Sequence, residues 1–259
     1  MDILSTIADG ILTLEFNRPE RKNAITTTMY QAMADALVAA DSDSAVRAIV
    51  ILGKSEIFTA GNDLDDFMKN ARLSDGMAPE QRPVFQFMRA LAGSTKPVVA
   101  AVAGAAVGIG TTMLLHCDLV YAADNAKFSM PFTQLGLCPE FASSSLLVQL
   151  AGYPRAAEKL LLGEAFLADE ALQMGLVSKV LPVAELTAYA QKQAAKLVAL
   201  PAASIRATKA LMKRSRGVAI TEQMAAENAL FGDMLNAPEA KEAFTAFFEK
   251  RKPDFSKFA

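Results

Sequence analysis

Two apolar runs, residues 46–52 and 97–102, constrain this chain more than any other feature. Both are rich in β-branched side chains, the pattern of a strand buried on both faces. Glycine follows each: Gly53 closes the first, and Gly104, Gly108 and Gly110 lie just beyond the second. Residues 11–16 read as a further strand, closed by Asn17-Arg18-Pro19, because proline ends a ladder. Met29, Met33, Leu37 and Val38 recur at helical spacing and predict a helix over 26–40. A short acidic helix is expected over 63–69, and short strands over 119–122 and 127–130. Residues 103–110 are expected to turn into a helix that ends near Cys117. Residues 71–83 are polar, with glycine and two prolines, and read as a mobile loop.

Beyond Phe141 the pattern turns helical: two helices up to Leu162, one over 168–174, one over 186–200, and three more between 202 and 250. This change, near Gly152, reads as a core with a helical tail rather than two independent domains. The tail helices are too apolar to stand alone.

Composition narrows the function. With 259 residues, 52% of them hydrophobic, the chain can bury a substantial core. A net charge of −2 and no basic block leave neither nucleic acid nor an anionic membrane as the main partner. The longest apolar run, 97–110, is interrupted by glycines and too short to span a bilayer. Residues 1–5 lack the basic start of a signal or transit peptide. Only Cys117 and Cys138 are present, which fits a reducing cytosol and lacks the spacing of a metal site.

Several catalytic motifs fail on inspection. Gly53-Lys54-Ser55 follows a strand, but Ala48 stands where a phosphate-binding loop needs its first glycine. The glycines at 104, 108 and 110 do not give the dinucleotide spacing, since Met113 occupies the third position. His116, the only histidine, lies beside Leu114 and Leu115 and reads as a packed, hydrogen-bonded core residue. No Gly-x-Ser-x-Gly elbow supports a serine nucleophile, and Ser143-Ser144-Ser145 read as helix-entry residues. Cys138 has no basic partner to lower its pKa.

Two stretches remain. Phe58-Thr59-Ala60-Gly61-Asn62-Asp63-Leu64 and the turn at Gly108-Ile109-Gly110 each lead from a strand to a helix start, where free N–H groups can meet an anion. Each also fits a plain tight turn. In Leu135-Gly136-Leu137-Cys138-Pro139-Glu140, the carboxylate is either a helix-start residue held by the dipole or an acid–base group.

Taken together these stretches resemble the crotonase superfamily, also called enoyl-CoA hydratase/isomerase. The resemblance spans nearly the whole chain. Residues 17–24, Asn-Arg-Pro-Glu-Arg-Lys-Asn-Ala, are similar to its N-terminal signature, and 249–255 to its C-terminal one. It implies an α/β fold, a ClpP-like spiral of β-β-α repeats over residues 1–195, with a helical trimerisation region over 196–259. A homotrimer or a hexamer built from two trimers follows from it. The resemblance also implies an oxyanion hole from the N–H groups of Asn62 and Ile109, with the backbone of Ala60 receiving the adenine of CoA. Arg21, Lys22 and Lys252 become candidates for the CoA phosphates. Ala24, Gly61, Asp63, Leu64, Gly108 and Phe132 complete the expected CoA- and substrate-binding set.

Hydratases of the mitochondrial type carry two glutamates where this chain has Thr112 and Phe132. Residues 135–140 resemble instead the peroxisomal type of Δ3,Δ2-enoyl-CoA isomerase, whose catalytic glutamate falls at Glu140. The implied activity is proton transfer on an acyl-CoA thioester, in the cytoplasm, without metal or redox cofactor. A hydratase or other lyase of the family, or a non-catalytic acyl-CoA binder, are the competing readings.

Overall fold

The computed structural model describes residues 1–54, 56–73, 78–215 and 217–258. An N-terminal hairpin, β1 (Ile3–Ala8) and β2 (Ile11–Phe16), leads into helix α1 (Thr27–Ser42). Three units then repeat one plan. The first is β3 (Ala48–Leu52), β4 (Ile57–Thr59), α2 (Leu64–Leu73) and α3 (Pro83–Gly93). The second is β5 (Val98–Val102), β6 (Ala105–Val107) and α4 (Ile109–Thr112). The third is β7 (Leu119–Ala123), β8 (Lys127–Ser129), α5 (Ser143–Ala151) and α6 (Tyr153–Leu162). The chain continues through β9 (Phe166–Leu167), α7 (Ala168–Gln173) and β10 (Lys179–Leu181). It closes with α8 (Val183–Ala199), α9 (Ala202–Lys213), α10 (Gly217–Asn236) and α11 (Pro238–Phe248).

Each repeat sends its first strand to a six-stranded sheet, ordered β1-β2-β3-β5-β7-β10, and its second to a four-stranded sheet, ordered β4-β6-β8-β9. Within both sheets the strands of successive repeats pair in parallel. The chain therefore advances as a spiral of β-β-α turns, the architecture expected from the resemblance.

The uninterrupted apolar runs are explained by two layers of cover. Ile49, Ile51, Val98, Ala100 and Val102 point into the main core. Their neighbours Val50, Leu52, Val99 and Ala101 point the other way, against Leu186, Ala190 and Ala194 of α8. A strand covered on both faces loses the polar/apolar alternation of a half-exposed one.

The structure departs from expectation at three places. Residues 105–107 form a strand before the helix rather than part of a single turn into it. The alanines there pair with Ile57 and Thr59 on one side and with Lys127 and Phe128 on the other. The helical tail contains β9 and β10, which complete the two sheets. The segment expected as a loop is partly helical: α2 runs to Leu73, and a tight turn at Pro79–Gln81 precedes α3. Residues 74–77 of that expectation lie outside the described residues. Among the described residues no helix is long and apolar enough to cross a membrane.

Candidate active site

The parallel pairing of β4 with β6 brings the two glycine turns to the same end of the small sheet. They also pack on each other. A Cβ on Gly61 would stand 2.8 Å from the Val107 carbonyl oxygen, and one on Gly110 would stand 2.5 Å from Thr59 Cγ2. Gly61 adopts φ +85°, so a side chain there meets both backbone strain and a carbonyl. Past these turns, the N–H groups of Asn62 and Ile109 have no acceptor among the described residues. Ile109 is the first residue of α4, where an intrahelical partner is never available.

The N-terminal signature lies alongside. Ala60 donates to the Lys22 carbonyl at 3.0 Å, Ile25 to the Gly61 carbonyl at 2.8 Å, and Asp63 to the Ile25 carbonyl at 2.9 Å. The Asn23 side chain donates to the carbonyls of Ile57 and Phe58. The signature residues Arg21, Lys22 and Ala24 are thus brought beside Ala60, Gly61 and Asp63, with Leu64 next in the chain. Asp63, however, is turned inward to Arg18 at 2.8 Å and is buried. Burial alone would raise its carboxyl, but the Arg18 hydrogen bond, the Asp66 N–H and the Arg21 charge outweigh this and hold it below the usual range. Its place is a clamp on the signature. Arg21 reaches Asp65 at 3.0 Å and remains half exposed. Lys252 lies in the exposed segment after α11, where its carbonyl accepts from Arg251.

Glu140 is the unusual acid. Only 5% of it is exposed, and its Oε1 is buried with no hydrogen-bond partner among the described residues. Burial, and then the charge of Glu227, push its pKa up to about 8. A carboxyl stripped of water and of donors keeps its proton far longer than one at the surface. Glu140 is not the helix-start carboxylate that its position after proline allowed. Helix α5 begins three residues later, at Ser143, and the side chain that meets the N–H groups of its cap residue Ala142 and of Ser144 is Glu227 of α10.

Around Glu140 the groups are neutral or acidic. Tyr30 of α1 is buried and donates to Asn62 Oδ1 at 2.5 Å. Burial, then the charges of Glu140 and Asp66, raise its phenol well above the ordinary value, so it stays a donor. His116 stacks on the Phe141 ring with centroids 3.8 Å apart, and its Nε2 lies 2.8 Å from the Phe141 carbonyl. A carbonyl only accepts, so Nε2 carries the proton. Burial lowers His116 to about 4, leaving it neutral near pH 7. This is the packed core histidine expected. Burial, then Glu227, raise the Cys138 thiol, which is no nucleophile at neutral pH. Both cysteines are free.

Thr112 is fully buried one turn after Ile109, and its Oγ1 has no partner among the described residues. Phe132 is buried, and its carbonyl accepts from Leu135 and Leu137 in the turn that leads to Glu140. Among the described residues no cluster of three or more His, Cys, Asp or Glu side chains is placed to hold a metal ion.

Sequence reasoning missed Tyr30 and Glu227. The second left a readable signal. Ile220, Met224, Phe231 and Met234 form the inward stripe of α10, and Glu227 falls in register with them. A lone charge in an apolar helical stripe marks a buried acid.

Comparison with known proteins agrees with this arrangement. The family model for enoyl-CoA hydratase/isomerase matches residues 6–257. The chain is 34% identical to the 2,3-dehydroadipyl-CoA hydratase of Escherichia coli (strain K12), over 95% of this chain and 94% of that one. It is 40% identical to the peroxisomal enoyl-CoA delta isomerase 3 of Mus musculus, over 70% of this chain and 57% of that one. The crystal structure of an enoyl-CoA hydratase/isomerase from Pseudoalteromonas atlantica T6c superposes with a TM-score of 0.93 at 38% identity, covering 99% of this chain and all of the other. Spiral, paired glycine turns and sequence likeness all lead to one conclusion: the chain belongs to the enoyl-CoA hydratase/isomerase family and is an enzyme of acyl-CoA chemistry.

Proposed function

We propose that the protein moves the double bond of a 3-enoyl-CoA thioester to the 2-position, with Glu140 as the only acid–base group. The observation that carries this reading is the Glu140 carboxyl, buried with an unpartnered oxygen and a pKa raised to about 8. The thioester oxygen sits between the N–H groups of Asn62 and Ile109. In its ionised form, whose share rises as pH approaches about 8, Glu140 takes a proton from C2, the charge spreads into a dienolate held by those two donors, and the same proton returns at C4. No water is consumed and no electron is lost, so neither a second base nor a metal or redox centre is required. Each backbone donor contributes about 3 kcal/mol to the transition state. The Tyr30 hydroxyl restrains the Asn62 side chain and so steadies the peptide whose N–H is used.

Hydration is the second reading, favoured by the hydratase names among full-length relatives. One assay separates the two. Given a medium-chain 3-enoyl-CoA, the isomerase reading expects growth of the ultraviolet band of the conjugated thioester. Loss of that band from 2-enoyl-CoA, with no reaction of the 3-enoyl ester, sinks the isomerase reading and establishes the hydratase.

We also propose self-association. Tyr153, Leu161, Leu162 and Leu167 on α6 and β9 are each more than half exposed, an apolar surface without cover in the single chain. Together with the C-terminal region, 196–259, this surface is the contact face of a homotrimer or hexamer. Light scattering of the purified protein is expected to give three or six times the chain mass of 27.6 kDa. A monomeric mass at micromolar concentration rules the association out.

A further inference from the structure

We infer that Glu227 is a positioning residue for Glu140: gripping the main chain at Ala142 and Ser144 from α10, it holds the turn that aims the Glu140 carboxyl. The inference rests on the reading of Glu140 as the proton carrier.

The turn in question does not hold itself. Phe141 and Ala142 are consecutive non-glycine residues in the left-handed region, with φ 61° and 56°. Such a conformation is strained and persists only where partners impose it. Two partners do so here. His116 Nε2–H holds the Phe141 carbonyl from one side. From the other, Glu227 Oε2 accepts from the Ala142 N–H at 2.5 Å, and Oε1 accepts from the Ser144 N–H at 3.1 Å and from the Ser144 hydroxyl. Gln223, one turn earlier on α10, donates to the same hydroxyl at 2.8 Å. The Glu140 carbonyl in turn accepts from Ser143, through both its N–H and its Oγ. The backbone on the C-terminal side of Glu140 is therefore fixed from a helix 85 residues further along the chain.

A simple cap does not need such a device. A serine or aspartate at the start of α5 would satisfy those N–H groups locally, yet Ala142 occupies the cap position. The chain instead buries a carboxylate to 4% exposure in an apolar stripe, with no cation paired to it among the described residues. Burial raises the Glu227 carboxyl above its ordinary value, while the Ser144 hydroxyl, the Ser144 and Ala142 N–H groups and Gln223 pull the other way. Helix-start N–H groups compensate a buried anion, and Glu140 has no such donors among the described residues. The Glu227 charge is one of the two causes that raise Glu140, after burial. The other titratable groups that feel the Glu140 charge are Tyr30 of α1 and Cys138 on its own segment, and neither supplies a positive charge; His116, stacked on the adjacent Phe141, is neutral.

The test is Glu227→Gln, which keeps shape and removes charge. Two readouts are needed: steady-state isomerase kinetics across pH, and the infrared carboxyl signal of Glu140, taken as the difference from Glu140→Gln. The expected result is a 10- to 100-fold fall in kcat, about the effect of small misplacement of a reacting group, with KM unchanged. The Glu140 midpoint is expected to fall below that of the parent protein. Unchanged kcat and midpoint in a folded variant overturn the inference, as does a lowered Tm with both preserved. If Glu227→Gln does not fold, Glu227→Asp retains the charge but draws it back from the turn. Its kcat is expected to fall while the midpoint stays high, and an unaltered kcat there also overturns the inference. The infrared readout needs no substrate. Absent isomerase turnover with a midpoint that moves therefore counts against the proposed reaction and not against the link between Glu227 and Glu140.

Discussion

Glu140→Gln is expected to lower isomerase turnover about 10³- to 10⁴-fold, the upper range of what a positioned acid–base group supplies, while CoA-ester binding survives. The amide has the same shape but cannot carry the proton from C2 to C4. Normal turnover in this variant removes Glu140 from the mechanism. The same substitution has a second signature, in stability. The Glu140 pKa is about 8 in the folded protein, against 4.5 as the ordinary value. Between those limits the folded state holds a proton that the unfolded chain has released, so stability falls as pH rises. The contribution is complete below about 4.5 and lost by about 8. Glu140→Gln should flatten this slope and, above pH 8, make the protein more stable than its parent by a few kcal/mol, since each tenfold change in proton affinity is worth about 1.4 kcal/mol. Urea melts of both proteins at pH 5 and pH 9 decide the matter, and parallel pH dependences count against it.

The largest structural effect is expected at Gly104→Ala. Gly104 joins β5 to β6 with φ +65°, and a Cβ there would lie 1.9 Å from the Glu56 carbonyl oxygen and 2.8 Å from the Ile57 nitrogen. Both obstacles are backbone, so no side chain can yield. The Gly104 N–H is also held by Asn125 Oδ1 at 3.0 Å, and its carbonyl by the Lys127 N–H at 2.9 Å. Relief requires β4 and β6 to part, at a cost of about 3–5 kcal/mol. Because that pairing sets Asn62 beside Ile109, activity should fall together with thermal stability. A folded variant with unchanged Tm contradicts this account of the turn.

How far the sequence could be read depended on how local each cause was. Strands β3 and β5 were legible because cover on both faces leaves a continuous apolar run. Strand β1 left no such mark: only Ile3 is buried and the rest of the strand is exposed. Ala105-Ala106-Val107 was hidden between glycines, and its strand conformation comes from neighbours on both sides rather than from propensity. Strands β9 and β10 span two and three residues, below the length at which periodicity exists. The glycine turns and Glu140 were found through motif resemblance. The burial that separates Glu140 from an ordinary helix-start carboxylate was not visible, since it is made by α1 and α10, far away in sequence. The pairing of Asp63 with Arg18 was hidden for the same reason: the two lie 45 positions apart.

The meeting of β4 and β6 has a consequence for descent. Both candidate oxyanion donors belong to peptide bonds, so among single substitutions only proline deletes one. Acid–base groups are side chains, and one codon change adds, removes or moves them. Inheritance can therefore keep the apparatus that tolerates an enolate while lineages trade the reaction performed upon it. Hydratase and isomerase names side by side among relatives of one fold are what such a division of labour leaves behind.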